Sequence, residues 1–135
     1  MCSTIASFSA RRLVLVVDAD ALSRGAMQTL MQREGFETDA AWSGVQGLGK
    51  AMARSYDLIL LATKLPDVNG LLVARRLRAH HSTARTPLVA IADEGDEAVA
   101  DLALAAGCDD CIAKPVNPVT FYKRVRKSLV RTTLT

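Results

Sequence analysis

The chain has 135 residues, of which 50% are hydrophobic and 4% aromatic, and it carries a net charge of +3. That length suits one domain with a core of Val, Leu, Ile, Ala and Met, and the mild basicity permits acidic partners without demanding nucleic acid. Three cysteines, Cys2, Cys108 and Cys111, are too few and too unevenly spaced for a secreted disulfide framework. Residues 1–10 lack a charged n-region and an apolar h-region, and no apolar run approaches the ~20 residues of a membrane span. The expectation is a cytoplasmic protein without membrane contact. It has a loose tail at 1–10, a single domain over 11–131 and a short tail at 132–135.

From Arg12 onward, apolar runs alternate with helical patterns. Leu13–Val17 reads as a strand buried on both faces. Asp20 reads as the N-cap of a helix carrying Leu22, Ala26, Met27 and Leu30, which Gly35 ends. Phe36–Ala40 is a short strand and Val45–Arg54 a second helix. Leu58–Ala62 is the third strand, and Pro66 and Asn69-Gly70 punctuate the loop after it. Leu71–Ala79 is a third helix, Pro87–Ala92 a fourth strand, and Glu97–Ala106 a fourth helix closed by Gly107. Cys111–Ala113 is the fifth strand. Asn117-Pro118 then opens the last helix, with proline at the tolerated first position.

Five strands alternating with five helices predict an α/β fold, a doubly wound five-stranded parallel sheet with flavodoxin-like strand order 2-1-3-4-5. Ligands in such sheets sit outside the carboxyl ends of the strands, where the order reverses between strands 1 and 3. Here those ends are Asp18 and Ala62.

The chain resembles the response-regulator receiver domain from about Arg12 to Leu129. The likeness is carried by Leu15-Val16-Val17-Asp18, by the loop Leu65-Pro66-x-Val68-Asn69-Gly70, and by Ala105-Ala106-Gly107-Cys108-Asp109-Asp110 leading to Lys114-Pro115. The resemblance implies a magnesium site built from two adjacent acids; Asp18 matches the first, and Ala19 stands at the second. It puts the phosphate-accepting aspartate at Ala62, the phosphoryl-contacting hydroxyl at Ala92 and the switch aromatic at Cys111. The phosphoryl-pairing lysine is kept, as Lys114, with Pro115 after it. Four altered positions together fit natural degeneration into a pseudo-receiver.

A methyl group cannot attack phosphorus, and Asp18 alone is a poor magnesium ligand set. Asp57 is five residues back on the same strand, roughly 16 Å away at strand rise. Asp67 is expected to face water, and alternation should turn Asp93 away from the side of Ala92 and Thr63 to the opposite face. Lys114 has two open readings: an ion pair with Asp18 that fixes the pocket in one state, or a side chain pointing to solvent.

Cys108 and Cys111 form a C-x-x-C spacing, which leaves a small redox or metal module as the alternative. No second pair accompanies it, and the adjacent His80 and His81 would diverge on a helix. One surface thiol and one buried small residue explain the spacing more simply. Asp20 as a displaced metal ligand explains less than Asp20 as an N-cap. Trp42 reads equally as a binding-surface aromatic or as cover for the second helix.

The last helix places Phe121, Val125 and Leu129 on its core stripe, with Tyr122 beside them, and Lys123, Lys127 and Arg131 opposite, flanked by Arg124 and Arg126. Residues 93–110 hold seven acids and no Lys or Arg. An acidic fourth helix beside a basic fifth is self-complementary under two-fold symmetry, so a homodimer through helix 4, strand 5 and helix 5 is expected, with Asp101, Lys123, Arg124 and Lys127 on that face. A basic stripe with few aromatics argues against nucleic acid. The function expected is a non-enzymatic, phosphorylation-independent receiver-like protein of a two-component phosphorelay, without a cofactor, acting through protein partners. A conventional phosphorylated regulator stands as a further alternative.

Overall fold

The computed structural model describes residues 12–134, with side chains through Val130. The segment read as an N-terminal tail lies outside the described residues. Five parallel strands form one sheet in the order β2-β1-β3-β4-β5. They are β1 (Leu13–Val17), β2 (Glu37–Ala41), β3 (Leu58–Ala62), β4 (Leu88–Ala92) and β5 (Asp110–Ala113). The helices are α1 (Ala21–Arg33), α2 (Gly44–Ala53), α3 (Gly70–Ala79), α4 (Val99–Ala105) and α5 (Pro118–Leu134). The last of these runs through most of the stretch read as a C-terminal tail.

Alternation along the strands splits the core into two layers. Leu15, Val17, Ile59, Leu61, Leu88 and Ala90 face one way, against α2, α3 and α4, while Val14, Val16, Leu58, Leu60, Val89 and Ile91 face Met27, Met31, Phe121 and Val125 of α1 and α5. Each fully buried Leu, Ile or Val contributes about 1.5–3 kcal/mol, so β1, β3 and β4 hold the domain together from inside. This double burial is why these strands are continuous apolar runs. The edge strand β2 is only partly buried and reads ETDAA.

Element ends are set by local chemistry. Asp20 caps α1 by accepting the Leu22 amide, and Asn69 caps α3 by accepting the Leu71 amide. Gly107 follows α4 at φ 109°, in the left-handed region that only glycine enters without cost. The start of α4 differs from the sequence reading. It begins at Val99 rather than Glu97, because Asp93–Glu97 is spent on hydrogen-bonded turns around Gly95, at φ 87°. Gly70 meets a different demand: a Cβ there would collide with the Ala62 carbonyl, so glycine lets the β3–α3 loop close onto the end of β3.

Candidate functional site

The carboxyl ends of β1, β3, β4 and β5 open into a crevice of about 490 Å³, lined by Asp18, Ala19, Asp20, Lys64, Asp93 and Lys114 among others. Asp18 follows β1, its amide donating to the Ala41 carbonyl of β2 at 2.9 Å. Lys114 follows β5, its amide donating to the Ala92 carbonyl at 2.8 Å. The strand register therefore fixes both backbones. Their side chains meet: Lys114 Nζ lies 3.0 Å from Asp18 Oδ2. Of the two readings open in the sequence, the structure shows the ion pair.

The pair is well sheltered. Asp18 is 2% exposed and the Lys114 side chain 17%. Asp18 Oδ1 accepts the Asp20 amide at 3.0 Å. Asp18 Oδ2 accepts no aligned hydrogen bond among the described residues, so the ammonium holds it by charge at short range rather than by a directed bond.

Asp93 departs from the sequence reading. Alternation predicted that it would turn away, yet its Oδ1 lies 3.7 Å from Lys114 Nζ. The reason is that β4 ends at Ala92, so Asp93 is the first residue free of the pleat. Its Oδ2 lies 3.8 Å from Nζ of Lys64, which also approaches Asp96 Oδ2 at 4.0 Å. Lys64 was missed in the sequence. Its only signal was its place two residues beyond the end of β3.

Ala62 and Ala92 are buried, at 2% and 1% exposure, and end β3 and β4 with methyl groups. Ala19 supplies a third methyl, at the crevice wall. The hydroxyl of Thr63 is buried without a hydrogen-bond partner among the described residues. Asp57 is tied at the far end of the sheet, where Oδ2 accepts the Leu13 amide at 2.8 Å.

Asp67 does more than face water. Its carboxylate accepts the Gly44 and Val45 amides at 2.8 and 2.9 Å, so it sits at the N-terminus of α2 and ties the β3–α3 loop to it. The backbone hydrogen bonds from Val45 and Gly44 hold its carboxyl below the usual range. Trp42 is half exposed under the Arg24 guanidinium, 5.5 Å from the ring centroid.

The structure does not favour chemistry at the cysteine pair. Both thiols are free, Cys108 buried and Cys111 half-buried. Burial pushes Cys108 up to about 12 and raises Cys111, which keeps both protonated rather than thiolate at neutral pH. Among the described residues, no group of three or more His, Cys, Asp or Glu side chains is arranged to hold a metal ion.

On the outer face, α4 exposes Asp101, Leu102 and Leu104, and α5 exposes Lys123 and Lys127. Arg124 is committed within the molecule. It donates to both carboxylate oxygens of Asp110 at 2.6 and 3.0 Å and to the Cys111 carbonyl at 2.8 Å, which fastens α5 to β5. Sequence spacing could not separate it from the free cations beside it.

The response regulator receiver domain model matches residues 14–126, most of the chain. The chain belongs to the response regulator receiver domain family. Its relatives include the transcriptional regulatory proteins ResD of Bacillus subtilis and SrrA of Staphylococcus aureus, each 34% identical. Those matches cover 90% and 88% of this receiver chain, which spans about half of each relative, 50% and 48%. A two-component response regulator from Clostridium difficile superposes with a TM-score of 0.81 at 26% identity, over 90% of this chain and 98% of that one. Receiver domains are signalling modules of two-component systems. No helix among the described residues of this one is long and apolar enough to cross a membrane.

Proposed function

We propose that this receiver domain takes part in two-component phosphorelay signalling without being phosphorylated on aspartate, and acts by protein–protein contact rather than by catalysis. One observation carries the reading: the residue ending β3 at the crevice is Ala62, while the ammonium of Lys114 is already spent on Asp18. A methyl group offers no electron pair to phosphorus. The crevice lining presents four carboxylates, Asp18, Asp20, Asp93 and Glu94, against the two ammoniums of Lys64 and Lys114. That surplus of negative charge repels a phosphoryl group that no divalent ion accompanies.

The residues present do not fit magnesium. An octahedral oxygen shell needs one or two free carboxylates at the seat. Here Asp18 faces an ammonium at 3.0 Å, Ala19 offers a methyl, Asp20 caps α1, and Asp93 lies between two lysines. Calorimetric titration with magnesium, with beryllofluoride present as a stand-in for the phosphoryl group, should give no saturating heat. A one-to-one isotherm would sink the reading.

The contact surface we assign is the outer face of α4, β5 and α5, where Asp101, Leu102 and Leu104 lie to one side and Lys123 and Lys127 to the other. Acid and base in one face are complementary to a second copy turned by two-fold symmetry. With Arg124 and Asp110 paired internally, Lys123, Lys127 and Asp101 supply the charges for that contact. The charged contact predicts a mass in solution that rises with concentration and falls with added salt.

A further inference from the structure

We propose that Asp93 is a positioning residue that pins α4, and hence its exposed outer face, to the crevice; this rests on the phosphorylation-independent reading above. Charges alternate across the loops that leave four strands. Asp18 follows β1, Lys114 follows β5, Asp93 follows β4, and Lys64 follows β3 by two residues. Lys114 Nζ lies 3.0 Å from Asp18 and 3.7 Å from Asp93, and Lys64 Nζ lies 3.8 Å from Asp93 and 4.0 Å from Asp96. Asp93 is the carboxylate that two ammoniums share, and its loop leads directly into α4.

The helix it leads into has little else to fix its start. It is seven residues long, and Ala98 at its N-cap makes no side-chain hydrogen bond. A helix that short does not hold itself in water. Its buried side chain is Ala103, with Ala106 just beyond its end, so it buries little apolar surface against the sheet. The segment before it turns through Gly95 and three hydrogen-bonded turns, from Asp96 to Asp93, Val99 to Asp96 and Ala100 to Glu97. The ammoniums of Lys114 and Lys64 therefore supply the side-chain tie between this segment and the strand ends. Through it they set where Asp101, Leu102 and Leu104 stand.

The two legs of this tie differ in kind. Lys114 is sheltered, and its attraction for Asp93 is weakly screened. The side chains of Lys64 and Asp93 are 68% and 45% exposed, so salt screens that leg strongly. Attachment of α4 should respond to ionic strength while the sheet does not.

Hydrogen exchange read by mass spectrometry tests this on the whole chain, in the native protein, Asp93→Asn, Lys64→Gln and the double variant. At low salt, Asp93→Asn should speed exchange across residues 94–106 by about two- to fivefold, the scale expected of partly exposed ion pairs, and leave Leu58–Ala62 unchanged. Lys64→Gln should have a smaller effect of the same kind, and in the Asp93→Asn background it should add less than it does alone, because only its contact with Asp96 remains. High salt should bring the native protein toward the Asp93→Asn rate. No change over residues 94–106, an equal rise over β3, or additive effects of the two substitutions would overturn the proposal. The parent reading is checked apart from it, because a covalent phosphoryl adduct would refute that reading whatever the exchange of α4 shows.

Discussion

Two corners of this domain shelter a half-buried basic side chain, and they do so by opposite means. Arg78, at the end of α3, donates to the carbonyls of Gly107 and Thr86 at 2.7 and 2.6 Å, to those of Thr83 and Ala84 at 3.2 Å, and to Asp109 at 3.1 Å. Its planar fork binds together the α3–β4 loop and the turn that closes α4. Lys114, at the crevice, donates no aligned hydrogen bond among the described residues and is held by the charges of Asp18 and Asp93. The first corner is satisfied by direction and the second by charge. A guanidinium anchored to five acceptors is a fixed structural tie. An ammonium between two carboxylates is a counterion, here at the crevice onto which the strand ends open.

The comparison breaks most visibly at Lys114. Lys114→Met leaves Asp18 buried and unpaired, which should lower the unfolding free energy by about 3–5 kcal/mol. Adding Asp18→Asn should return part of that loss, because the uncompensated charge goes with it. Urea unfolding of the two variants measures both. Equal stability of Lys114→Met and the native protein would mean that the pair contributes nothing. Arg78→Met orphans sheltered carbonyls rather than a charge, and should cost about 2–3 kcal/mol in the same assay. Removing Asp109 as well should return little of it, since most of the bonds go to backbone.

A third variant sharpens the contrast through pH. The carboxyl of Asp67 is lowered from 3.8 by the amides of Val45 and Gly44. A carboxyl lowered in the folded state stabilises the protein above its unfolded value, and that stabilisation is lost as pH falls through the folded one. Asp67→Asn should therefore flatten the acid limb of the stability profile below about pH 4 and leave Lys114 untouched. An acid limb identical to that of the native protein would show that the loop–α2 tie carries no linkage.

Much of this architecture was legible in the sequence. Strands buried on both faces are written as unbroken runs, as in Leu58–Leu61, so alternation of runs and helical stripes predicts a doubly wound parallel sheet, and the flavodoxin-like order chosen for it is the order observed. A helix cap was legible where a short polar side chain stood at a boundary, as at Asp20, whereas Asn69 reads only as loop punctuation and turns out to cap α3. What stayed hidden depends on where strands stop. Asp93 points into the crevice only because β4 ends one residue earlier, and periodicity cannot place that end to within a residue. Glu97 reads as the start of the fourth helix, but the turns around Gly95 delay that helix to Val99. Arg78 resembled Arg75 and Arg76 in composition. Its signal was its spacing of four from the buried Ala74, which carries it inward to Gly107. Ala19, Ala62 and Ala92 are read from the sequence one residue at a time, and the roles of their positions are what the resemblance to receiver domains implies.

The central claim is that this receiver crevice does not take a phosphoryl group. Intact-mass measurement of the native protein after incubation with acetyl phosphate and magnesium tests it most directly, with a phosphorylatable receiver treated in parallel. The predicted result is an unchanged mass for this chain beside a phosphorylated control. A stoichiometric, covalent phosphoryl adduct mapped to a residue at the carboxyl ends of β1, β3 or β4 would contradict the claim.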